Sequence, residues 1–369
     1  MDTQIIDVIP IVSRIPLTPT SPPQDWIDEW SRQLFVKVKT DDHAGWGEVL
    51  PAAFNSPRIY ASFVSRFRDY VVGRRIEDVE EIWETLRKVA FSGGYGVLVG
   101  SISGIDIALW DLYAKMKKQY LGYIQGKKEV SITRYASLSR YSRLDDLTRA
   151  CHNMVNDGFT RIKLHQTKND TLEAVRRFRE EFGYDIELMV DMNASMKLDE
   201  ATRFANEIRK YEVKWVEEPI WPPDDLLSLR EINQIVPVAA GENFFSFYDF
   251  QNALYLEAVT YYQPDVTKVG GITPTMKILN LLKEKNAKLS FHSRPHNGWI
   301  GVFASIAAAN MAGMNAMIET PPNSIPEKYF NYSAKVSAQT IMPYGHGIGI
   351  EPIEPLPELS DEKVLIFHN

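Results

Sequence analysis

Cysteine is nearly absent: Cys151 stands alone in 369 residues. An internal disulfide and a thiolate metal cage are therefore excluded, and Cys151 is expected to be a small buried residue. Long apolar runs are missing too. No stretch of about 18 apolar residues suggests a membrane span. The opening MDTQIIDVIP lacks the basic segment and apolar stretch of a secretory signal. A cytoplasmic protein that works without a membrane is expected. Positive charge is in short supply: 41 Lys and Arg against 48 Asp and Glu, net −7. No basic cluster of the kind that holds nucleic acid occurs. An acidic chain that takes an anionic small molecule must supply a local positive centre, such as a metal ion or lysines. No internal repeat or low-complexity tract is present.

What is present is ordinary globular material, 44% hydrophobic and 24% charged, in a chain long for one domain. The N-terminal third reads as α+β. Residues 5–15 and 33–39 have strand patterns, 41–45 suits a hairpin turn, and 46–49 returns. Proline- and serine-rich loops are expected at 17–28 and 51–58. Helical patterns follow over 59–72, 79–90 and 97–118, the last apolar on most faces, as in a buried helix. From about residue 129 short apolar strands alternate with amphipathic helices. The strands fall at 131–136, 160–165, 187–191, 213–217, 236–241, 261–267, 287–292 and 315–319. Eight such units imply a closed parallel (β/α) barrel. The expected division is 1–125, an α+β domain; 126–344, the barrel; and 345–369, a segment packing back on the first domain.

Three consecutive barrel strands end in an acid: Asp191 in VDMN, Glu217 with Glu218 in WVEEP, and Glu242 in GEN. Each is one βα unit from the next, so the carboxylates meet on the catalytic face of the barrel. They repel unless a cation neutralises them, and oxygen ligands with room for water and substrate suit Mg²⁺. Side chains alternate along a strand, so only one of Glu217 and Glu218 points inward. The apolar phase favours Glu217, leaving Glu218 as a supporting acid or a lysine's partner.

Bases surround these acids. Lys163 and His165 lie two apart on the second strand and face one side. Asp265 and His292 lie at the ends of adjacent strands, where the carboxylate can hold the imidazole and support its cation. A planar enolate between them would have a candidate base on each face. Glu319, at the end of the eighth strand, is expected to be a protonated or hydrogen-bonded carboxyl that donates to an enediolate oxygen. This set fits removal of the weakly acidic proton α to a carboxylate. Mg²⁺ would stabilise the dianionic enediolate as a Lewis acid. Reprotonation would then racemise or epimerise the substrate, and loss of a β-hydroxyl would dehydrate it.

Ordered motifs carry a resemblance to a known family: GIDIALWDLYAK at 104–115, KLH at 163–165, DMN at 191–193, WVEEP at 215–219, GEN at 241–243, QPDVTKVGGIT at 263–273, SFH at 290–292 and IET at 318–320. On these the chain resembles the mandelate racemase subgroup of the enolase superfamily (the mandelate racemase/muconate lactonizing enzyme family). The resemblance implies an α/β fold, an enolase-type modified TIM barrel with an N-terminal α+β capping domain, and a homo-oligomer. It implies that Asp191, Glu217 and Glu242 ligate Mg²⁺, that Asp265 and His292 form the base dyad, and that Glu319 bonds the substrate carboxylate. It places Asn193 near the substrate and makes Lys163 the first lysine of a Lys-x-Lys pair. His165 replaces the second lysine. Paired with His292, it shifts the expectation from racemase towards a hydro-lyase that converts an aldonate, a small-molecule carboxylate, to a 2-keto-3-deoxy acid. A racemase or epimerase using the same site is the alternative, and a non-catalytic metal-binding scaffold a remote one. The capping loops would choose the substrate, through Trp26, Phe54 and Arg58. Arg294 and His296, after the seventh strand, are candidate contacts for sugar hydroxyls.

Overall fold

The computed structural model describes residues 3–16, 31–51, 57–294, 298–322, 324–357 and 359. Strands β1 (Asp7–Arg14), β2 (Arg32–Lys39) and β3 (Ala44–Val49) form an antiparallel sheet in that order. Helices α1 (Pro57–Phe67), α2 (Val79–Ala90) and α3 (Val97–Met116) follow. The sheet and helices share a core of Val36, Val38, Val49, Val64, Ile82, Ile105 and Leu109. Glycine lets β3 lie directly on α3: a Cβ at Gly47 would come within 2.0 Å of the Gly104 carbonyl oxygen. Helix α3 has the length and apolarity of a membrane span, a feature not anticipated from the sequence, but most of it is buried inside the protein. It is a core helix, and all of GIDIALWD except Trp110 is buried.

Eight parallel strands then close a barrel, in sequence order β4 (Ile132–Ser137), β5 (Arg161–Leu164), β6 (Glu187–Asp191), β7 (Val216–Glu217), β8 (Val238–Ala240), β9 (Tyr261–Tyr262), β10 (Lys288–Phe291) and β11 (Ala316–Thr320). The helices α4 (Leu144–Asn156), α5 (Thr171–Phe182), α6 (Leu198–Ile208), α7 (Leu226–Asn233), α8 (Phe247–Tyr255), α9 (Ile272–Glu284) and α10 (Trp299–Ala312) separate them. Helix α4 was not picked out from the sequence. Its buried face is Leu147, Ala150, Cys151 and Met154, and Cys151 is a free, buried thiol. Inside the barrel Tyr135, Met189, Trp215 and Ala239 pack together, with Tyr261 and Met317 against them. These side chains form a floor beneath the strand ends.

Two acids on α3 tie the parts together. Asp106 accepts hydrogen bonds from the Thr273 N–H (2.9 Å) and hydroxyl (2.6 Å) at the first turn of α9. Gly271 must be glycine there, with φ +101° and no room for a Cβ beside Asp106. Asp111 accepts from the Trp46 N–H on β3 and from the Ile348 N–H in the tail, both at 2.8 Å. The tail also reaches the N-terminal domain through Glu351 to Lys115, Glu354 to Lys37, and the Pro357 carbonyl to Ser13.

Candidate active site

Parallel register sets Asp191 beside Glu217 at the ends of β6 and β7, and Glu242 follows β8 by two residues. One carboxylate oxygen from each of Asp191, Glu217 and Glu242 lies within 4.8 Å of the others. Three carboxyl groups this close, two buried and Glu242 partly so, fit a hard divalent cation. Glu218 adopts a left-handed backbone (φ +35°) and is buried as well. Its two oxygens accept from the Asn243 side-chain amide at 3.1 and 2.8 Å, and the same amide donates to Glu242 at 3.1 Å. Glu218 therefore stands behind the triad. Burial, with Glu242 and Asp191 nearby, pushes its carboxyl well above the usual range.

Lys163 is fully buried at the base of this cluster. Its Nζ lies 2.6 Å from Glu217, 2.9 Å from Glu319 and 3.4 Å from Asp191. Burial disfavours its charge, but the carboxylates Glu217 and Glu319 overcome that and raise its pKa well above the ordinary lysine value. Glu217 is held also by the Trp215 indole N–H at 3.0 Å and the Gln263 amide at 2.7 Å. Burial still raises the Glu217 pKa. For Asp191 burial acts upward, but Lys163 and His165 draw its pKa below the usual carboxylate range.

Two histidines flank the triad. His165 has Nδ1 2.7 Å from the Leu138 carbonyl oxygen and Nε2 3.0 Å from Asp191. His292 has Nδ1 2.6 Å from Asp265 and Nε2 2.9 Å from Glu242. The other Asp265 oxygen is fixed by the Thr267 N–H (2.7 Å) and hydroxyl (2.5 Å). Burial opposes charge on His292, yet Glu242 and Glu319 with the Asp265 bond raise its pKa well above the usual value. In return the His292 charge outweighs burial and holds Glu242 down to about 2.

Glu319 stands at the end of β11, beside Lys163. Burial raises its pKa, but Lys163 and His292 more than offset that, so it sits below the usual glutamate value as an anion. It accepts from the Ser293 N–H at 3.2 Å. Paired with Lys163, its carboxylate favours the hydrogen-bonded over the protonated form of the group expected from the sequence.

Above the cluster opens a cavity of about 530 Å³, a size suited to a small molecule. Asp191, Glu242, His165, His292, Glu319 and Asn193 line it, below a roof from the N-terminal domain that includes Leu50, Pro51, Tyr60 and Val97. Arg140 and Lys268 line it too, and neither was singled out from the sequence. Arg140 follows β4 in a loop at the catalytic end. It donates from Nε to the His165 carbonyl at 2.9 Å and from Nη2 to Asn193 Oδ1 at 3.4 Å. Lys268 lies three residues past Asp265 within QPDVTK and donates to Asn243 Oδ1 at 2.9 Å. The loops after barrel strands were the place to look for both.

Two expected contacts go elsewhere. Arg58 belongs to α1, not to a loop, and its guanidinium meets the Leu359 carbonyl at 3.5 Å. Arg294 is buried and donates to the Arg32 carbonyl on β2; neither arginine is among the cavity-lining residues. A long side chain after a strand end can turn towards the neighbouring domain as easily as towards the cavity. Trp26, Phe54 and His296 lie outside the described residues.

Comparison with known proteins agrees with this geometry. Residues 146–356 match the enolase C-terminal domain-like family, and residues 18–123 match the mandelate racemase / muconate lactonizing enzyme N-terminal domain. The chain is 30% identical over 280 residues to a 3,6-anhydro-alpha-L-galactonate cycloisomerase of Streptomyces coelicolor, covering 74% of this chain and 77% of the relative. It is 27% identical over 274 residues to a D-galactonate dehydratase of Klebsiella pneumoniae, covering 71% of each. Among solved structures, a racemase from Streptomyces coelicolor with bound magnesium superimposes with a TM-score of 0.82 at 25% identity, over 94% of this chain and 97% of that one.

Proposed function

The chain belongs to the mandelate racemase subgroup of the enolase superfamily, and from that premise we propose that it is a Mg²⁺-dependent lyase that removes the α-proton of an acid sugar and expels the β-oxygen. The observation that carries this reading is the pair of histidines. One Nε2 abuts Asp191 and the other abuts Glu242, at 3.0 and 2.9 Å, so a substrate at the triad meets an imidazole on either side. Elimination needs two such groups, a base for carbon and an acid for the departing oxygen.

The two histidines differ in what stands behind them. His292 has a carboxylate on Nδ1, which stabilises an imidazolium as it forms and makes the stronger base. His165 has only a backbone carbonyl on Nδ1. A cation on Glu242 would offset the negative charge that keeps His292 protonated, so His292 Nε2 is assigned the α-proton, and His165 the proton given to the leaving oxygen. As the Cα–H bond breaks, its electrons enter the enediolate. They then form the Cα–Cβ double bond while the Cβ–O bond breaks. The resulting enol ketonises to a 2-keto-3-deoxy acid. Mg²⁺ held by Asp191, Glu217 and Glu242 supplies Lewis-acid stabilisation of the enediolate charge. Lys163 lowers the net charge of the cluster, and Arg140, Asn193 and Lys268 are placed to orient hydroxyls.

When the β-oxygen is part of an anhydro ring, the same two proton transfers open the ring and no water leaves. The 30% identical cycloisomerase favours keeping this second form of the reaction in view. An acid-sugar panel, anhydro acids included, incubated with Mg²⁺ and followed by mass and by NMR in D₂O, tests the proposal. A 2-keto acid lighter by one water is the expected product, and a 2-keto acid of unchanged mass would select ring opening. Deuterium at Cα with no keto acid would overturn elimination in favour of epimerisation.

A further inference from the structure

A carboxylate of the capping domain, unused by the chemistry above, reaches towards the catalytic dyad. Glu48 on β3 is completely buried. Its Oε2 accepts the Gly301 N–H at 3.1 Å, and the Ile300 N–H also points to it, so it sits on the first turn of α10. Its Oε1 lies 3.4 Å from the Gln33 amide of β2. Arg294, two residues past His292, donates to the Arg32 carbonyl of the same sheet. The Arg294 charge is felt by both Glu48 and Asp265. Burial pushes the Glu48 carboxyl up to about 7 against the Arg294 charge and the two N–H donors, so above that pH Glu48, Arg294, Asp265, His292 and Glu242 form a buried series of alternating charge from the capping domain to the metal triad. Packing follows the same route: a Cβ on Gly301 would lie 2.7 Å from Thr267 Cγ2, and Thr267 holds Asp265.

We propose that Glu48 is a positioning residue for the reaction: by gripping the first turn of α10 and opposing the Arg294 guanidinium, it keeps Asp265 committed to His292. This rests on the proposed function only in taking Asp265–His292 as the proton-transferring pair. A glutamine at 48 has the same shape and can still accept the Gly301 N–H. What it lacks is the charge that faces Arg294. The guanidinium then has Asp265 as the other carboxylate within its field, and it competes with His292 for that group.

Glu48→Gln is compared with wild type for kcat, KM, Mg²⁺ affinity, melting temperature and the proton NMR signal of His292 Nδ1–H. That signal, assigned by its loss in His292→Asn, requires no substrate. Above pH 7, where Glu48 is ionised, expected are a fall in kcat of about tenfold or more, KM and Mg²⁺ affinity near wild type, and a displaced or broadened Nδ1–H signal. Adding Arg294→Gln should recover part of the lost rate by removing the competing cation. A variant with a lower melting temperature but unchanged kcat and unchanged Nδ1–H signal would show Glu48 to be interdomain packing alone, and the proposal would fall. If Glu48→Gln does not fold, Glu48→Asp, which keeps the charge but withdraws it, should give a smaller change of the same sign, and no change would overturn the idea. Absence of any wild-type turnover would count against the proposed function, while the NMR signal would still decide the role of Glu48.

Discussion

Nδ1 of His292 lies 2.6 Å from Oδ2 of Asp265, with both groups buried. The carboxylate orients the ring, and in the proposed reaction it would stabilise the imidazolium that proton abstraction creates. Asp265→Asn preserves the shape but offers an amide where an anion is needed. By analogy with the loss of the aspartate in a Ser-His-Asp triad, kcat should fall roughly 10³- to 10⁴-fold. Mg²⁺ affinity, measured by calorimetry, should stay near wild type because Asp265 is not among the clustered ligands. Loss of Mg²⁺ binding would mean that Asp265 supports the triad and not the base.

His165 and His292 can be separated by isotope exchange. If His292 takes the α-proton, His165→Asn should still exchange Cα–H for deuterium, while keto-acid formation falls by roughly 10²- to 10⁴-fold. His292→Asn should lose both. The opposite pattern, exchange surviving in His292→Asn and vanishing in His165→Asn, would exchange the two roles. NMR of recovered substrate from D₂O reads either result directly.

The barrel and the convergence of Asp191, Glu217 and Glu242 were legible because two periodicities coincide. Alternation along a strand fixes which face Asp191 and Glu217 point to, and one βα unit between neighbours fixes that they are adjacent. The placement of Asp265 beside His292 was legible for the same reason. Helix α4 was harder to see: its buried face relies on Ala150, Cys151 and Met154 beside a single leucine, a weak apolar signal among polar residues. Arg58 and Arg294 were misplaced because sequence position locates a Cα, and a long side chain decides its own direction. The charge state of Glu319 was not legible because it depends on Lys163, which comes from β5, two strands along the barrel from β11. Arg140 and Lys268 carry no motif of their own, and only the folded cavity singles them out.

Lys163 is the cation on which three buried carboxylates converge, at 2.6, 2.9 and 3.4 Å. Removing one partner of a buried pair leaves uncompensated charge, at about 3–5 kcal/mol. Lys163→Met should therefore lower the melting temperature of metal-free protein strongly. Because a divalent cation neutralises the same cluster, Mg²⁺ should raise the melting temperature of Lys163→Met more than that of wild type. Equal Mg²⁺-induced shifts in a thermal melt would show that lysine and metal do not share a charge-balancing role. Turnover should stay low even with Mg²⁺.

Asp106 gives a pH dependence away from the active site. It is fully buried at the first turn of α9, and burial pushes its carboxyl up to about 7 despite the Thr273 hydrogen bonds. In the unfolded chain an aspartate loses its proton near pH ~3.9. Between about pH 4 and 7 the unfolded chain has released this proton and the folded protein still holds it. Stability must therefore fall as pH rises through that window, by up to about 1.4 kcal/mol per pH unit, and level off above it. Asp106→Asn keeps a side-chain acceptor for Thr273 and cannot titrate. Its melting temperature should decline less than wild type's as pH rises through the window, so the variant fares relatively better at the upper end. Thermal melts at constant ionic strength across that range provide the comparison. Parallel curves for the two proteins would show that Asp106 ionises at an ordinary carboxyl pKa, and that its role at α9 is that of a charged cap.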